Sequence, residues 1–209
     1  MDVIVRKFSN ASLVLKLGTD WATRCDDGEF TELVKLLANA ALEDTDIEIM
    51  LQRDLSTILK AGELANEPRD ISWLKEQIAG SVFDLYATYK DGERRFCFGC
   101  IQSKTSIRDR VTRDREPSIT AMHAFFWSTV LVLDGDFLKL PKFKAMVDGG
   151  TSEYKENGWH GMYVFSDKYS GERIYPLHVD FSEFADHAKQ AEAYWRKQRQ
   201  WFNSEWKAE

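Results

Sequence analysis

The chain has 209 residues, of which 44% are hydrophobic, 30% charged and 13% aromatic, and its formal net charge is −6. These values exclude a disordered chain and suit one compact domain with a single core over residues 1–209. The acidic balance also excludes a protein that binds nucleic acid through its overall charge.

Several features favour a cytoplasmic protein without a membrane segment. The most apolar stretch, 122–133, is shorter than the roughly 20 residues of a membrane helix, and the N-terminal residues lack the pattern of a secretory signal. The odd number of cysteines argues against a disulfide framework. Cys97-x-x-Cys100 has no second cysteine pair to complete a zinc site, so we expect a buried structural pair.

Residues 1–80 are predicted to form a helical N-terminal part. Apolar residues recur at three- and four-residue steps through 30–64, which predicts two helices, the second beginning at Asp44 or Thr45. Pro68 and Gly80 are placed to begin and end a further short helix.

Residues 81–136 begin with a predicted β-hairpin. The β-rich runs 81–89 and 95–102 flank Lys90-Asp91-Gly92-Glu93, which contains an Asp-Gly turn signal. Residues 105–115 are polar and compatible with a helix, and Pro117 fits the first turn of another helix. Residues 126–133 follow as a buried strand, and Asp134-Gly135-Asp136 as a turn.

Residues 137–209 are predicted to alternate between helices and strands, which completes an α/β pattern. We predict a helix at 142–147, extended segments at 161–165 and 173–179, and a long helix at 182–206. The last helix carries a large aromatic face, which packs either on the chain's own sheet or between subunits. His160 has no evident partner in the sequence, and the chemistry considered below does not need it.

A basic segment stands out within this acidic chain. Residues 90–115 contain eight basic and four acidic side chains. A solvated helix face would explain this excess, and so would contact with a polyanion.

The hairpin brings a carboxylate close to an ammonium group. Asp84 lies between two apolar neighbours on the first strand, and Lys104 lies at the end of the second. A carboxylate that holds a divalent cation, next to a lysine that positions a water molecule, is suited to hydrolysis of a phosphodiester. The alternative is an ordinary surface ion pair.

This arrangement resembles the PD-(D/E)XK nucleases, in which an Asp on one strand and an acid-x-Lys motif on the next form the metal site. The resemblance implies a mixed β-sheet flanked by helices, a Mg²⁺ cofactor, and Asp84 and Lys104 as catalytic residues. Gln102 occupies the position of the acid in this sequence. An amide contributes no charge, so Gln102 is expected to have a supporting role and another carboxylate is required.

The sequence Lys104-Thr105-Ser106-Ile107-Arg108-Asp109-Arg110 resembles one branch of the type II restriction endonucleases, which cut sites containing CC and GG. In that branch the second acid has moved to the helix after the lysine, which implies that Glu116 is the second metal ligand. Its alternative role is that of a carboxylate near a helix start. An N-terminal helix also supplies a Glu in some relatives, and Glu32 and Glu48 are candidates here.

The same resemblance implies that Arg108, Asp109 and Arg110 read G·C pairs in the major groove. Arginine donates to guanine O6 and N7, and aspartate accepts from cytosine N4. Arg113 and Arg115 are interpreted as phosphate contacts or as ordinary helix charges.

Together these features predict a Mg²⁺-dependent type II restriction endonuclease that cleaves double-stranded DNA at a site with a CC:GG core. Two active sites related by a twofold axis imply a homodimer, and the restriction role implies a cognate DNA methyltransferase. Three alternatives stay open: a repair or junction-resolving nuclease of the same fold, a catalytically inactive DNA-binding protein, and an unrelated protein-interaction domain.

Overall fold

The structure is a computed structural model that describes residues 26–107, 111–198 and 202–209. Its helices are α1 (Asp27–Ala41), α2 (Gln52–Ala61), α3 (Pro68–Ala79), α4 (Val111–His123), α5 (Pro141–Asp148) and α6 (Ser182–Gln198). Its strands are β1 (Ile47–Leu51), β2 (Leu85–Asp91), β3 (Arg94–Ser106), β4 (Trp127–Asp134), β5 (Gly161–Val164) and β6 (Ile174–Pro176). A 3-10 turn spans Asp136–Lys139.

The strands form one mixed sheet in the order β1-β2-β3-β4-β5-β6. β1, β2 and β3 are antiparallel, whereas β3 to β6 run parallel. The predicted hairpin is confirmed as β2 and β3, and Gly92 adopts the left-handed backbone of its turn, with a φ of 61°. The parallel β3 and β4 need a crossover, which α4 provides.

Helices cover both faces of the sheet, as the mixed-sheet fold implies. On one face, α1 and α6 bury their apolar side chains together with Leu85, Ala87, Ile101 and Leu131 of the sheet. On the other face, α2 to α5 pack against alternating sheet residues that include Tyr86, Cys100, Val130 and Val132. Because the aromatic face of α6 lies in the core of its own sheet, the structure uses that face within one chain.

The N-terminal part is not entirely helical, which corrects the sequence prediction. Ile47–Leu51 forms β1 and pairs with β2, from Ile47 opposite Tyr89 to Leu51 opposite Leu85. Five residues are too few to distinguish the 3.6-residue period of a helix from the two-residue period of a strand. The edge of β2 also offers backbone hydrogen bonds that only a strand can use. Only 52–61 of the predicted second helix is helical.

Two further helix boundaries differ from the prediction. Pro117 lies inside α4 rather than in the first turn of a new helix. Buried residues before and after it, from Val111 to Met122, pack α4 on the sheet and outweigh the missing hydrogen bond. The described part of the last helix is Ser182–Gln198, and residues 202–209 are not helical. Arg173 instead holds this segment by donating to the carbonyls of Glu205 and Trp206.

Thr105 and Ser106, predicted to lie in a helix-compatible segment, belong to β3, and β6 covers only part of the extended segment predicted at 173–179. The other elements agree with the prediction. α1, α3 before Gly80, β4, α5 and β5 lie within one to three residues of their expected bounds. Cys97 and Cys100 are buried free thiols, and burial raises the pKa of both. Among the described residues, no helix combines the length and the apolar composition needed to cross a bilayer.

Candidate active site

Asp84 and Lys104 are in direct contact. The Oδ2 atom of Asp84 accepts hydrogen bonds from Lys104 Nζ at 2.7 Å and from the backbone N–H of Ser103 at 2.8 Å. The Lys104 side chain is 14% exposed and that of Asp84 is 27% exposed. The structure therefore brings together the two groups that the hairpin prediction placed side by side, in a partly exposed position.

The backbone on both sides of the carboxylate holds Asp84 in place. Its N–H donates to the carbonyl of Ile101 at 3.1 Å, and its carbonyl accepts from Gln52 at 3.2 Å. These bonds attach the residue before β2 to β3 and to the start of α2. The carboxylate is thus presented from a fixed backbone, which suits a residue that orients a reaction centre.

A second carboxylate, missed in the sequence, binds the same end of β3. Asp27 Oδ1 accepts from the Thr105 N–H at 2.9 Å and from Thr105 Oγ1 at 2.6 Å. Asp27 is the first residue of α1 and is separated from Thr105 by 78 positions. No periodic pattern or short motif connects residues so far apart in the chain.

A cavity of about 270 Å³ lies beside Asp84. Its lining includes the acidic residues Asp27, Glu32 and Asp84, together with Arg53. Of the two candidates on the N-terminal side, Glu32 therefore lies at this cavity and forms an ion pair with Arg53 at 2.6 Å. Glu48 instead pairs with Arg95 at 2.8 Å and does not line the cavity.

The donor set around Asp84 is compatible with Mg²⁺. Asp84 Oδ1 has no hydrogen-bond partner among the described residues, and carboxylate oxygens are the ligands that Mg²⁺ prefers. The described residues contain no cluster of three or more His, Cys, Asp or Glu side chains suited to a metal. Mg²⁺ commonly binds through one or two carboxylates plus water and substrate phosphate, so the carboxylates that line this cavity have the chemistry of its ligands.

Gln102 is part of the protein interior. It is 2% exposed, its Nε2 donates to the carbonyl of Asp114 at 2.9 Å, and its Oε1 accepts from Trp159 Nε1 at 2.8 Å. Both ends of the amide are therefore used to join β3 to α4 and to the loop before β5. The supporting role expected of Gln102 is accordingly structural in this geometry.

Glu116 is exposed on α4 and makes no side-chain hydrogen bond or ion pair among the described residues. Asp114, two positions earlier on the helix, is buried against the sheet. Two positions correspond to about 200° of rotation, so the Glu116 side chain points away from the sheet. The structure thus places Glu116 on the outer face of α4, and its role as a metal ligand stays a prediction.

The proposed DNA-contacting residues differ in their exposure and in their hydrogen-bond partners. Arg108, Asp109 and Arg110 lie outside the described residues. Arg113 is 71% exposed, so its guanidinium is accessible to a phosphate. Arg115 instead donates to the carbonyls of Met146 at 3.0 Å and Glu156 at 2.6 Å, so it stabilises the fold, and its contact with a phosphate stays a prediction.

Two other sequence features have structural roles. Asp134 Oδ1 accepts from the Asp136 N–H at 2.9 Å, which confirms the predicted turn. His160 Nδ1 accepts from the Ser128 N–H at 2.9 Å, and its Nε2 therefore carries the proton towards the carbonyl of Asn203 at 3.0 Å. Burial lowers the pKa of His160 to about 3, so this side chain is neutral and fixed in the core.

Comparisons with known proteins identify a family of restriction endonucleases. Residues 69–201 match a protein-family model described as BsaWI restriction endonuclease type 2. The crystal structure of a pre-specific restriction endonuclease BsaWI–DNA complex aligns at a TM-score of 0.85 and 56% sequence identity. The alignment covers 94% of this chain and 72% of the BsaWI chain. A comparison with curated proteins finds no match.

Proposed function

The chain belongs to the BsaWI family of type II restriction endonucleases, and on this premise we propose that it hydrolyses double-stranded DNA with Mg²⁺ at a site with a CC:GG core. The observation that carries the proposal is the contact of Asp84 with Lys104 at the open end of β3. A carboxylate and an ammonium group at 2.7 Å, beside a cavity lined by acidic residues, have the composition that phosphodiester hydrolysis requires.

Asp84 would hold the metal with a second carboxylate. Glu32 is supported by its position in the same cavity, and Glu116 by its place in the sequence motif. Bound Mg²⁺ would polarise the scissile phosphate and make its coordinated water more acidic. Asp84 keeps Lys104 in place through Oδ2, and the Lys104 ammonium orients the attacking water by donating a hydrogen bond.

Mutation of each charged group tests this assignment. The substrate is a large, fully sequenced, unmethylated DNA, and the variants are Asp84→Ala, Lys104→Ala, Glu32→Ala and Glu116→Ala. We expect wild-type protein to produce discrete ends and the first two variants to produce none. The Glu32 and Glu116 variants identify the second ligand, because only its loss should raise the Mg²⁺ concentration needed for half-maximal cleavage.

Asp54→Ala is the matched control, since it removes a carboxylate from a surface ion pair with Lys35 on α1. Normal cleavage by Asp84→Ala or Lys104→Ala would reject the proposed catalytic pair. Sequence-specific binding without cleavage under any Mg²⁺ or Mn²⁺ condition would support the inactive DNA-binding alternative.

The CC:GG core rests on Arg108, Asp109 and Arg110, whose donors and acceptor match the major-groove edges of G·C pairs. Sequencing the fragment ends identifies the target directly. We expect every cut site to contain the core, and discrete ends without it would reject this part of the proposal.

Cleavage of both strands at a symmetric site requires two active sites, so we infer a homodimer that acts in the cytoplasm. A separately acting DNA methyltransferase would protect the host's own sites. Sedimentation of the protein with a short duplex containing the identified site should give two chains per duplex. A single chain per duplex would reject the dimer.

A further inference from the structure

Within residues 26–107, 111–198 and 202–209, no strand pairs with one edge of the end of β3. β2 begins at Leu85, opposite Ile101, so residues 102–106 of β3 extend beyond it and are called the β3 extension here. β4 pairs with the other edge of the β3 extension. Alternate N–H groups of a strand point to the same edge, so those of Ser103 and Thr105 face the side without a strand.

Two carboxylates accept hydrogen bonds from this edge of the β3 extension. Asp84 Oδ2 accepts from the Ser103 N–H at 2.8 Å, and Asp27 Oδ1 accepts from the Thr105 N–H at 2.9 Å. Lys104 lies between these two bound residues. Its backbone position is therefore determined from both sides by acidic side chains.

We propose that Asp27 is a positioning residue for DNA cleavage, which acts by fixing the β3 extension and thereby the Lys104 ammonium. This inference rests on the proposed catalytic role of Lys104. Asp27 binds both the backbone N–H and the hydroxyl of Thr105, and the hydroxyl contact of 2.6 Å is short, as expected for a charged acceptor.

α1 gives this contact a rigid base. Phe30 and Val34, which follow Asp27 on the helix, are completely buried in the core beneath the sheet. The carbonyl of Asp27 also accepts from Thr31 Oγ1 at 2.7 Å. A contact between the core-anchored start of α1 and Thr105 limits the movement of the residue next to Lys104.

Asp27 also lines the acidic cavity, so a direct metal-binding role is the competing explanation. The variant Asp27→Asn distinguishes the positioning role from the metal-binding role. An amide oxygen accepts the bonds from Thr105 as a carboxylate oxygen does, but it carries no charge. A positioning role requires Asp27→Asn to keep most of the activity that Asp27→Ala loses.

The experiment measures kcat and KM for cleavage of a duplex that contains the wild-type cut site. We expect Asp27→Ala to lower kcat about 10- to 100-fold with a much smaller change in KM, because a displaced catalytic group affects the reaction step. Asp27→Asn should stay within about threefold of wild type. Equal loss in both variants, or a higher Mg²⁺ requirement in Asp27→Asn, would overturn positioning in favour of metal binding.

Thr105 provides the partner test and covers the case in which Asp27→Ala does not fold. Thr105→Val removes the hydroxyl bond and should lower kcat, whereas Thr105→Ser keeps that bond and should not. Where Asp27→Ala folds, the double variant Asp27→Ala with Thr105→Val should lose no more kcat than Asp27→Ala alone, since both substitutions remove the same contact. Normal kcat in Thr105→Val would contradict the proposal.

Asp26→Ala is the matched stability control. Asp26 caps the same helix by accepting from the Glu29 N–H at 2.7 Å, so its loss weakens α1 while leaving the Thr105 contact. We expect this variant to melt at a lower temperature and to keep wild-type kcat. Reduced kcat in Asp26→Ala would mean that the stability of α1 alone explains the loss of kcat in Asp27→Ala. Absence of wild-type cleavage would instead refute the proposed function itself.

Discussion

Replacement of Gln102 by glutamate tests whether this residue is a scaffold or the remnant of a catalytic acid. The Gln102 amide donates to Asp114 and accepts from Trp159, in a position that is 2% exposed. An ionised carboxylate would keep the bond from Trp159 but has no proton to donate to the Asp114 carbonyl. A protonated carboxyl would make both bonds, so the folded protein should favour the protonated form and raise the pKa of the introduced group.

The loss of folding stability in Gln102→Glu depends on the pH. Keeping a carboxyl protonated costs about 1.4 kcal/mol for each pH unit above its ordinary pKa of about 4.3. The penalty is therefore about 1 kcal/mol at pH 5 and about 4 kcal/mol at pH 7. Because the pKa is raised in the folded state, the penalty is absent at low pH and grows as the pH rises.

Urea unfolding followed by tryptophan fluorescence at pH 5 and pH 7 measures this difference. Gln190→Glu is the matched control, because Gln190 makes the same two kinds of bond with the backbone of Glu209, and these bonds are exposed to solvent. Relative to wild type, Gln102→Glu should lose about 3 kcal/mol more at pH 7 than at pH 5, while the control changes little. An equal loss at both pH values, or faster DNA cleavage by Gln102→Glu, would refute the scaffold interpretation.

Other groups give shorter tests. Ser81 has a φ of 49°, so Ser81→Gly should raise the free energy of unfolding by up to about 1 kcal/mol in urea titrations, and a loss would contradict the strain argument. Arg113→Ala should reduce the slope of log Kd for DNA against log salt by about one. Arg115→Ala should lower the stability by about 2 kcal/mol, because two carbonyls lose a charged donor. Since burial lowers the pKa of His160 to about 3, wild-type stability should fall by up to about 1.4 kcal/mol per pH unit between about pH 6.5 and 3, and His160→Asn should lose this dependence.

Local signals in the sequence were sufficient for the parts of the site that lie close together in the chain. The tight turn at Asp91 and Gly92 joins β2 to β3, and a one-residue register shift between Ala87 and Thr88 completes the alignment that brings Asp84, just before β2, to Lys104. β1 was misread as helical because its five residues pair with a strand more than thirty positions away. Its conformation depends on the free edge of β2 rather than on its own periodicity.

Gln102 shows why a family pattern alone did not identify its role. The motif places Gln102 at the position of an acid, and by that comparison the amide is a defect in the metal site. In the fold, the same amide joins Asp114 and Trp159, which is 57 positions away. A buried amide can satisfy a donor and an acceptor together, whereas an ionised carboxylate cannot, so the departure from the pattern has a structural reason in this chain.

The two acidic residues at the start of α1 show where sequence reasoning ends. Asp26 and Asp27 are equivalent by every local rule, because acidic residues stabilise the first turn of a helix through capping and the helix dipole. The structure gives them different tasks: Asp26 caps the helix, whereas the side chain of Asp27 binds Thr105 beside Lys104. The difference arises because β2 begins at Leu85 and leaves the Thr105 N–H without a strand partner. The task of Asp27 is therefore set by where another strand begins, which is a property of the assembled sheet.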